Sequence, residues 1–141
     1  MKIIYTIVVC LLCLAATQQT NAQGQNSEYT LQSEHVFSYG EDKQITSTIT
    51  ITESTFNWIQ FINDDTAATN FNIVSVSGQW NESTSTGQLN YTLNIVEDGE
   101  TYQASFTIEG TSAGLSAELI CILSETEQEV YEFSINGITY Q

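Results

Sequence analysis

Basic residues, cysteine and proline are scarce in this chain of 141 residues. It contains two lysines, no arginine, one histidine, three cysteines and no proline. One lysine and two cysteines fall within the first 22 residues, so the remainder offers only Lys43, His35 and Cys121. Nucleophilic catalysis and zinc binding draw on these residue types, so the sequence predicts a protein that is not an enzyme. A single remaining cysteine also excludes an internal disulfide.

The first 22 residues have the pattern of a cleaved secretory signal. Lys2 precedes an almost continuous apolar run over residues 3–16, and Ala22 completes a small-residue cleavage site before Gln23. The run of about 14 residues is shorter than the roughly 20 that a membrane-spanning helix needs. The sequence therefore predicts a signal peptide over 1–22 and a single secreted or periplasmic domain over 23–141, with no membrane attachment after cleavage.

Negative charge dominates the chain beyond the signal. All 17 acidic residues lie beyond residue 22 and Lys43 is the one cation there, which gives a formal charge of −16. Such a polyanion repels nucleic acid and anionic lipid and stays soluble. The composition therefore predicts a monomer that has no nucleic-acid partner.

Alternation of apolar and polar residues recurs along the chain. Residues 44–52 read QITSTITIT, and 89–95 and 102–109 alternate in the same way, as half-buried strands do. The Asp98-Gly99 pair predicts a tight hairpin turn between the last two segments. Further strands are predicted over 29–39, 55–62, 71–77, 130–135 and 138–140, with connections at 40–43, 63–70 and 81–87 and a turn at Asn136-Gly137.

Eight or nine successive strands with short connections predict an all-β fold. The expected architecture is an antiparallel meander, closed as a barrel or folded as a two-sheet sandwich. Residues 115–123 (LSAELICIL) fit either a buried strand or a short helix. The strand is favoured because its neighbours are strands, but periodicity alone does not decide for so short an apolar run.

Two kinds of motif for catalysis or metal binding are weak. Residues 110–114 match the G-x-S-x-G pattern of a serine nucleophile, but no histidine comes after Ser112, so a small-residue turn is the better interpretation. Asp64, Asp65 and Asp98 lie in acidic turns and are weak calcium candidates, because they lack the spaced oxygen ligands of an EF-hand loop. No cofactor is expected.

Aromatic side chains are the stronger candidates for ligand binding. Trp58 lies between Asn57 and Gln60, and Trp80 ends a predicted strand. Sugars stack on exposed rings that are flanked by amides, whereas buried rings would simply fill the core. The candidate ligand-binding residues are Trp58, Trp80, Asn57, Gln60, Tyr91 and Tyr102.

The sequence supports three functional hypotheses. The first is a secreted binding module, which holds either a small apolar molecule in a hollow barrel lined by Ile45, Leu93, Tyr102 and Phe106 or a glycan on an aromatic face. The alternative is a structural or protein-interaction domain, adhesin-like or inhibitory, and a solid core with both tryptophans buried would favour it. The third is a hydrolase that uses two carboxylates across a cleft.

Overall fold

The computed structural model describes residues 27–141, so the predicted signal segment lies outside the described residues. This part of the chain contains no helix, and hence none that is long and apolar enough to cross a membrane. It forms nine strands: β1 (Tyr29–Ser38), β2 (Glu41–Lys43), β3 (Thr46–Ile51), β4 (Thr55–Ile62), β5 (Asp65–Asn81), β6 (Thr86–Glu97), β7 (Glu100–Thr111), β8 (Gly114–Ile122) and β9 (Gln128–Tyr140).

Eight of these strands close into an antiparallel barrel. From β3 to β9 each strand pairs with the next one along the chain, and β1 pairs with β3 on one side and β9 on the other. The short β2 pairs only with the last residues of β1. The predicted all-β meander is therefore confirmed, and of the two expected architectures the structure is the barrel.

The barrel interior is filled with side chains. Inward-facing positions alternate with polar outward ones along the strands, as the sequence pattern predicts. Leu93 and Phe106 are fully buried, and Phe106 packs against Phe56 with their ring centroids 4.8 Å apart. Burial of such aromatic side chains is a major stabilising contribution within residues 27–141, where the one cysteine, Cys121, is free.

Strand β5 is longer than predicted, because it includes residues 65–70, which were expected to form a connection. Asn63 and Asp64 have φ angles of 49° and 69° and make a two-residue turn, so Ile62 pairs directly with Asp65. The sequence Thr66-Ala-Ala-Thr-Asn has no large apolar residue to mark a strand. Backbone pairing with β4, rather than side-chain burial, makes this segment extended.

The turn predicted at Asn136-Gly137 is wrong, because β9 runs through both residues. Gln32 pairs with Gly137 and Ser33 with Ile135, so Asn136 is the extra residue of a β-bulge.

The turn predicted at Asp98-Gly99 is confirmed, with φ angles of 52° and 82° as a type I′ hairpin requires. Residues 114–122 form strand β8 rather than a helix.

Candidate functional site

One end of the barrel, which we call the closed end, is sealed by a hydrogen-bonded aromatic pair. Trp80 donates from Nε1 to the Tyr140 hydroxyl over 2.8 Å, and that hydroxyl lies 3.0 Å from Ser85 Oγ. The Trp80 ring lies over Gly110, where a β-carbon would come within 2.8 Å of the indole. These three polar groups therefore have partners, and the indole packs closely against the backbone of β7.

The opposite end, which we call the acidic mouth, is formed by the turns at 39–40, 63–64 and 98–99 and by the loop at 123–127. Ten of the 17 acidic residues lie on these turns and the adjoining strand ends, whereas only Glu28, Glu53 and Glu82 lie at the closed end. The ten are Glu41, Asp42, Asp64, Asp65, Glu97, Asp98, Glu100, Glu125, Glu127 and Glu129. The negative potential of the protein is therefore strongest at the acidic mouth.

Large apolar side chains are also exposed at the acidic mouth. The described residues include eight exposed large hydrophobic side chains, and six of them are at this end: Tyr39, Phe61, Ile62, Val96, Ile122 and Leu123. They lie in the turns and the loop of this end or at the ends of the strands that lead into them. Exposed apolar groups that are gathered on one surface and surrounded by polar groups are typical of interaction sites.

Glu129 is the most constrained carboxylate of the acidic mouth. It is half-buried at the start of β9 and accepts hydrogen bonds from the hydroxyls of Tyr39 and Tyr131, the latter at 2.7 Å. These two hydrogen bonds, first that from Tyr39, lower the pKa of Glu129 below its ordinary value. We call these three residues the tyrosine–glutamate cluster.

Beneath this cluster, three buried polar atoms have no hydrogen-bond partner among the described residues: Ser38 Oγ, Ser47 Oγ and Trp58 Nε1. Ser38 is the register partner of Tyr131, whose ring centroid lies 4.9 Å from that of Trp58. Ser47 is on the strand next to Trp58, where it pairs with Gln60. The interior just below the acidic mouth therefore holds unused donors and acceptors, in contrast to the closed end.

Cys121 lies beside the tyrosine–glutamate cluster as the register partner of Glu129. Burial, with a smaller contribution from the Glu129 charge, raises the pKa of its thiol to about 11. The thiol is therefore protonated at neutral pH, which makes it a poor nucleophile.

A second concave surface, which we call the outer groove, lies on the outside of β1, β2 and β7–β9 and encloses about 820 Å³. Glu118 and Glu132 lie side by side in it as direct register partners on β8 and β9, which is an unfavourable arrangement of like charges. His35 Nδ1 lies 3.2 Å from Asp42 Oδ1 at one side of the groove. Phe37, which is 43% exposed, supplies an aromatic face.

The structure separates the six residues that the sequence suggested for ligand binding. Three of them lie near the acidic mouth: buried Trp58, half-buried Gln60 and half-buried Tyr102, whose hydroxyl donates to Glu100. The other three lie elsewhere. Trp80 and Tyr91 are buried, with the Tyr91 hydroxyl 2.9 Å from that of Tyr29, and Asn57 bonds Asn70 on the outer face.

Neither tryptophan presents a ring face to solvent, since Trp58 is 4% and Trp80 is 5% exposed. The interior positions proposed to line a hollow barrel are mostly packed: Leu93 and Phe106 are fully buried, and Ile45 packs against the core. Among the described residues, Phe37 is therefore a more accessible aromatic surface than either indole.

Asp64, Asp65 and Asp98 occupy turns at the acidic mouth, where their side chains are exposed. Within residues 27–141, no three histidine, cysteine or acidic side chains are grouped so that they could hold a metal ion. These carboxylates contribute to the negative surface rather than to a preformed coordination sphere.

Sequence reasoning missed Glu129, its two tyrosines and the outer groove. Tyr39 is 90 positions from Glu129 in the sequence, and only the pairing of β1 with β9 brings them together. The available signal was the run Glu125-Thr-Glu-Gln-Glu129, which places three acidic residues within five positions just before Tyr131. A comparison with protein-family models finds no match for the chain, and neither does a comparison with curated proteins.

Proposed function

We propose that this protein is a secreted binding module whose acidic mouth docks a positively charged, partly apolar segment of another protein. The observation that carries this proposal is the coincidence, at one end of the barrel, of ten of the 17 acidic residues with six exposed large apolar side chains. Carboxylates alone would be an ordinary solvated surface. The apolar groups among them offer contacts to the apolar surface of a partner, which a surface that only faces water does not need.

Charge complementarity defines the partner. With only Lys43 as a described cation, this end cannot neutralise its own carboxylates, so a basic partner gains attraction that a neutral one lacks. A negative potential concentrated at one end also orients an approaching basic segment toward it. The packed interior supports docking at the mouth more than it supports an apolar molecule held deep within the barrel.

The proposal is tested with a short synthetic peptide of alternating lysine and leucine, titrated into the 23–141 protein by calorimetry. The mouth variant carries Asp98→Asn, Glu125→Gln and Glu127→Gln. The matched control carries Glu28→Gln, Glu53→Gln and Glu82→Gln at the closed end and removes the same number of charges. Asparagine keeps the left-handed backbone at position 98, where φ is 52°.

We expect the mouth variant to lose about tenfold or more of the affinity and the control variant to lose much less. Binding to the wild type should weaken steeply with added sodium chloride, because exposed charges are screened. Equal losses in the two triple variants, or no dependence on salt, would contradict docking at the acidic mouth.

A second candidate function, oligosaccharide binding, is favoured by the outer groove. Hydroxyls of Thr107, Ser116 and Ser134 line this groove together with carboxylates, and Phe37 offers a ring on which a sugar can stack. Groups of this kind supply the directed hydrogen bonds and apolar contact that a polar ligand site needs. Cellohexaose and N-acetylchitohexaose are suitable probes, and Phe37→Ala should abolish their binding while Phe61→Ala at the mouth leaves it unchanged.

A further inference from the structure

The tyrosine–glutamate cluster contains a half-buried carboxylate that no cation of the described chain neutralises. Within residues 27–141, the one contact with the geometry of an ion pair joins His35 Nδ1 to Asp42 Oδ1 and does not involve Glu129. Both Glu129 oxygens already accept one tyrosine hydroxyl each. Each carboxylate oxygen has two lone pairs, so both can accept a further hydrogen bond from a cation.

Two tyrosine rings adjoin this carboxylate, because the hydroxyls of both Tyr39 and Tyr131 bond it. Tyr39 is 69% exposed, and the Lys43 ammonium already lies 5.9 Å from its ring centroid. Tyr131 packs edge-on against Trp58 behind it. Electron-rich ring faces attract cations within about 6 Å, so a cation on Glu129 would also lie beside two tyrosine rings.

An unused acceptor lies on the neighbouring strand, opposite the residue two positions after Glu129. Ser38 is 3% exposed, faces the interior beside Tyr131 as its register partner, and its Oγ has no partner among the described residues. An N–H group that reaches past Glu129 could donate a hydrogen bond to this oxygen. That bond would remove the free-energy cost of burying a polar atom without a partner.

We propose that the tyrosine–glutamate cluster binds one organic cation, the guanidinium or ammonium group of a side chain of the docked partner. This inference rests on the proposed function and names the contact that anchors the partner. A metal ion fits less well, since the described residues group no three metal-ligating side chains at any one place. A planar guanidinium or a primary ammonium needs only the one carboxylate and the surrounding rings.

The test compares Glu129→Gln with Glu127→Gln, which removes an exposed carboxylate two positions away. Both variants lose one negative charge, so their general electrostatic effect is the same. We expect Glu129→Gln to weaken binding of the lysine–leucine peptide by about tenfold or more and Glu127→Gln by less than about threefold. Tyr39→Phe, at an exposed turn, should give an intermediate loss while the fold is retained.

A second measurement separates this inference from the proposed function. Methylguanidinium chloride and methylammonium chloride are titrated into the wild type, with sodium chloride at equal ionic strength as the control, and the ring resonances of Tyr39 and Tyr131 are followed by NMR. Saturable shifts with either organic cation, absent with sodium, are the expected result. Their absence would overturn the inference.

The outcomes are distinguishable. If the peptide binds and the Glu129 and Glu127 variants are equally affected, the acidic mouth docks a partner but the cluster does not anchor it. If the small cations shift the tyrosine rings but the peptide does not bind, the cluster is a cation site and the proposed docking fails. If neither ligand binds, both proposals are wrong.

Discussion

The Trp80 indole donates its Nε1 proton to the Tyr140 hydroxyl over 2.8 Å, and this hydrogen bond joins β5 to the end of β9 across the closed end of the barrel. Trp58, the other tryptophan, is equally buried, but its Nε1 has no partner among the described residues. The two indoles thus distinguish a sealed end from an end with unused hydrogen-bonding capacity.

Removing the Tyr140 hydroxyl should destabilise the fold. Tyr140→Phe leaves the buried Trp80 N–H without its acceptor, which costs about 1–3 kcal/mol in the free energy of unfolding. Urea denaturation measures this change. Tyr102→Phe is the matched control, because the Tyr102 hydroxyl bonds only Glu100 at the exposed mouth. Equal stability of the two variants would contradict the role of the Trp80–Tyr140 bond.

A methyl group at position 110 should disrupt the same end. In Gly110→Ala the new β-carbon would lie 2.8 Å from the Trp80 ring and would also collide with the Ser85 carbonyl oxygen. Overpacking of this kind costs about 1–3 kcal/mol. Gly137→Ala is the control, because its nearest neighbour there is the flexible end of Gln32 at 3.4 Å. A thermal midpoint for Gly110→Ala no lower than that of Gly137→Ala would count against this packing.

The filled interior predicts a large effect from truncation of a central ring. Phe106 is fully buried against Phe56 and Tyr91, so Phe106→Ala should lower the free energy of unfolding by about 3–5 kcal/mol. The exposed Phe37→Ala should change it by less than about 0.5 kcal/mol. Guanidinium denaturation compares the two. A small effect at position 106 would indicate an open interior space, which is inconsistent with a filled barrel.

The pH dependence of stability should reveal the tyrosine–glutamate cluster. Because the folded pKa of Glu129 is lowered from an ordinary value of 4.5, its contribution to stability is present above that value and is lost as pH falls through the folded pKa. A Tyr39→Phe, Tyr131→Phe double variant should therefore be less stable than the wild type at pH 7, with the difference shrinking as pH falls below 4.5. A difference that stays constant with pH, followed by circular dichroism in urea, would show that the two hydroxyls do not act through the Glu129 charge.

Much of the fold could be predicted because its signals are local. Alternation over 44–52 marks β3, and the Asp98-Gly99 pair marks the turn between β6 and β7, since both depend on neighbouring residues. The errors arose where pairing with a distant strand determines the local structure. Asn136-Gly137 has the composition of a turn, but pairing with β1 holds it in a bulge.

The candidate site was less predictable for the same reason. Asp64, Asp65 and Asp98 are recognisable one turn at a time, but their convergence at one end depends on the up-and-down order of the strands. The contact of Tyr39 with Glu129 depends on barrel closure between β1 and β9, which no local pattern encodes.

Docking at the acidic mouth can be located by mapping amide shifts in ¹H–¹⁵N spectra of the 23–141 protein during titration with the lysine–leucine peptide. We expect the largest shifts to fall on the turns at 39–40, 63–64 and 98–99 and on the loop at 123–127. Shifts centred on Trp80 and Tyr140 at the closed end, or on Glu118 and Glu132 in the outer groove, would show that the acidic mouth is not the binding surface.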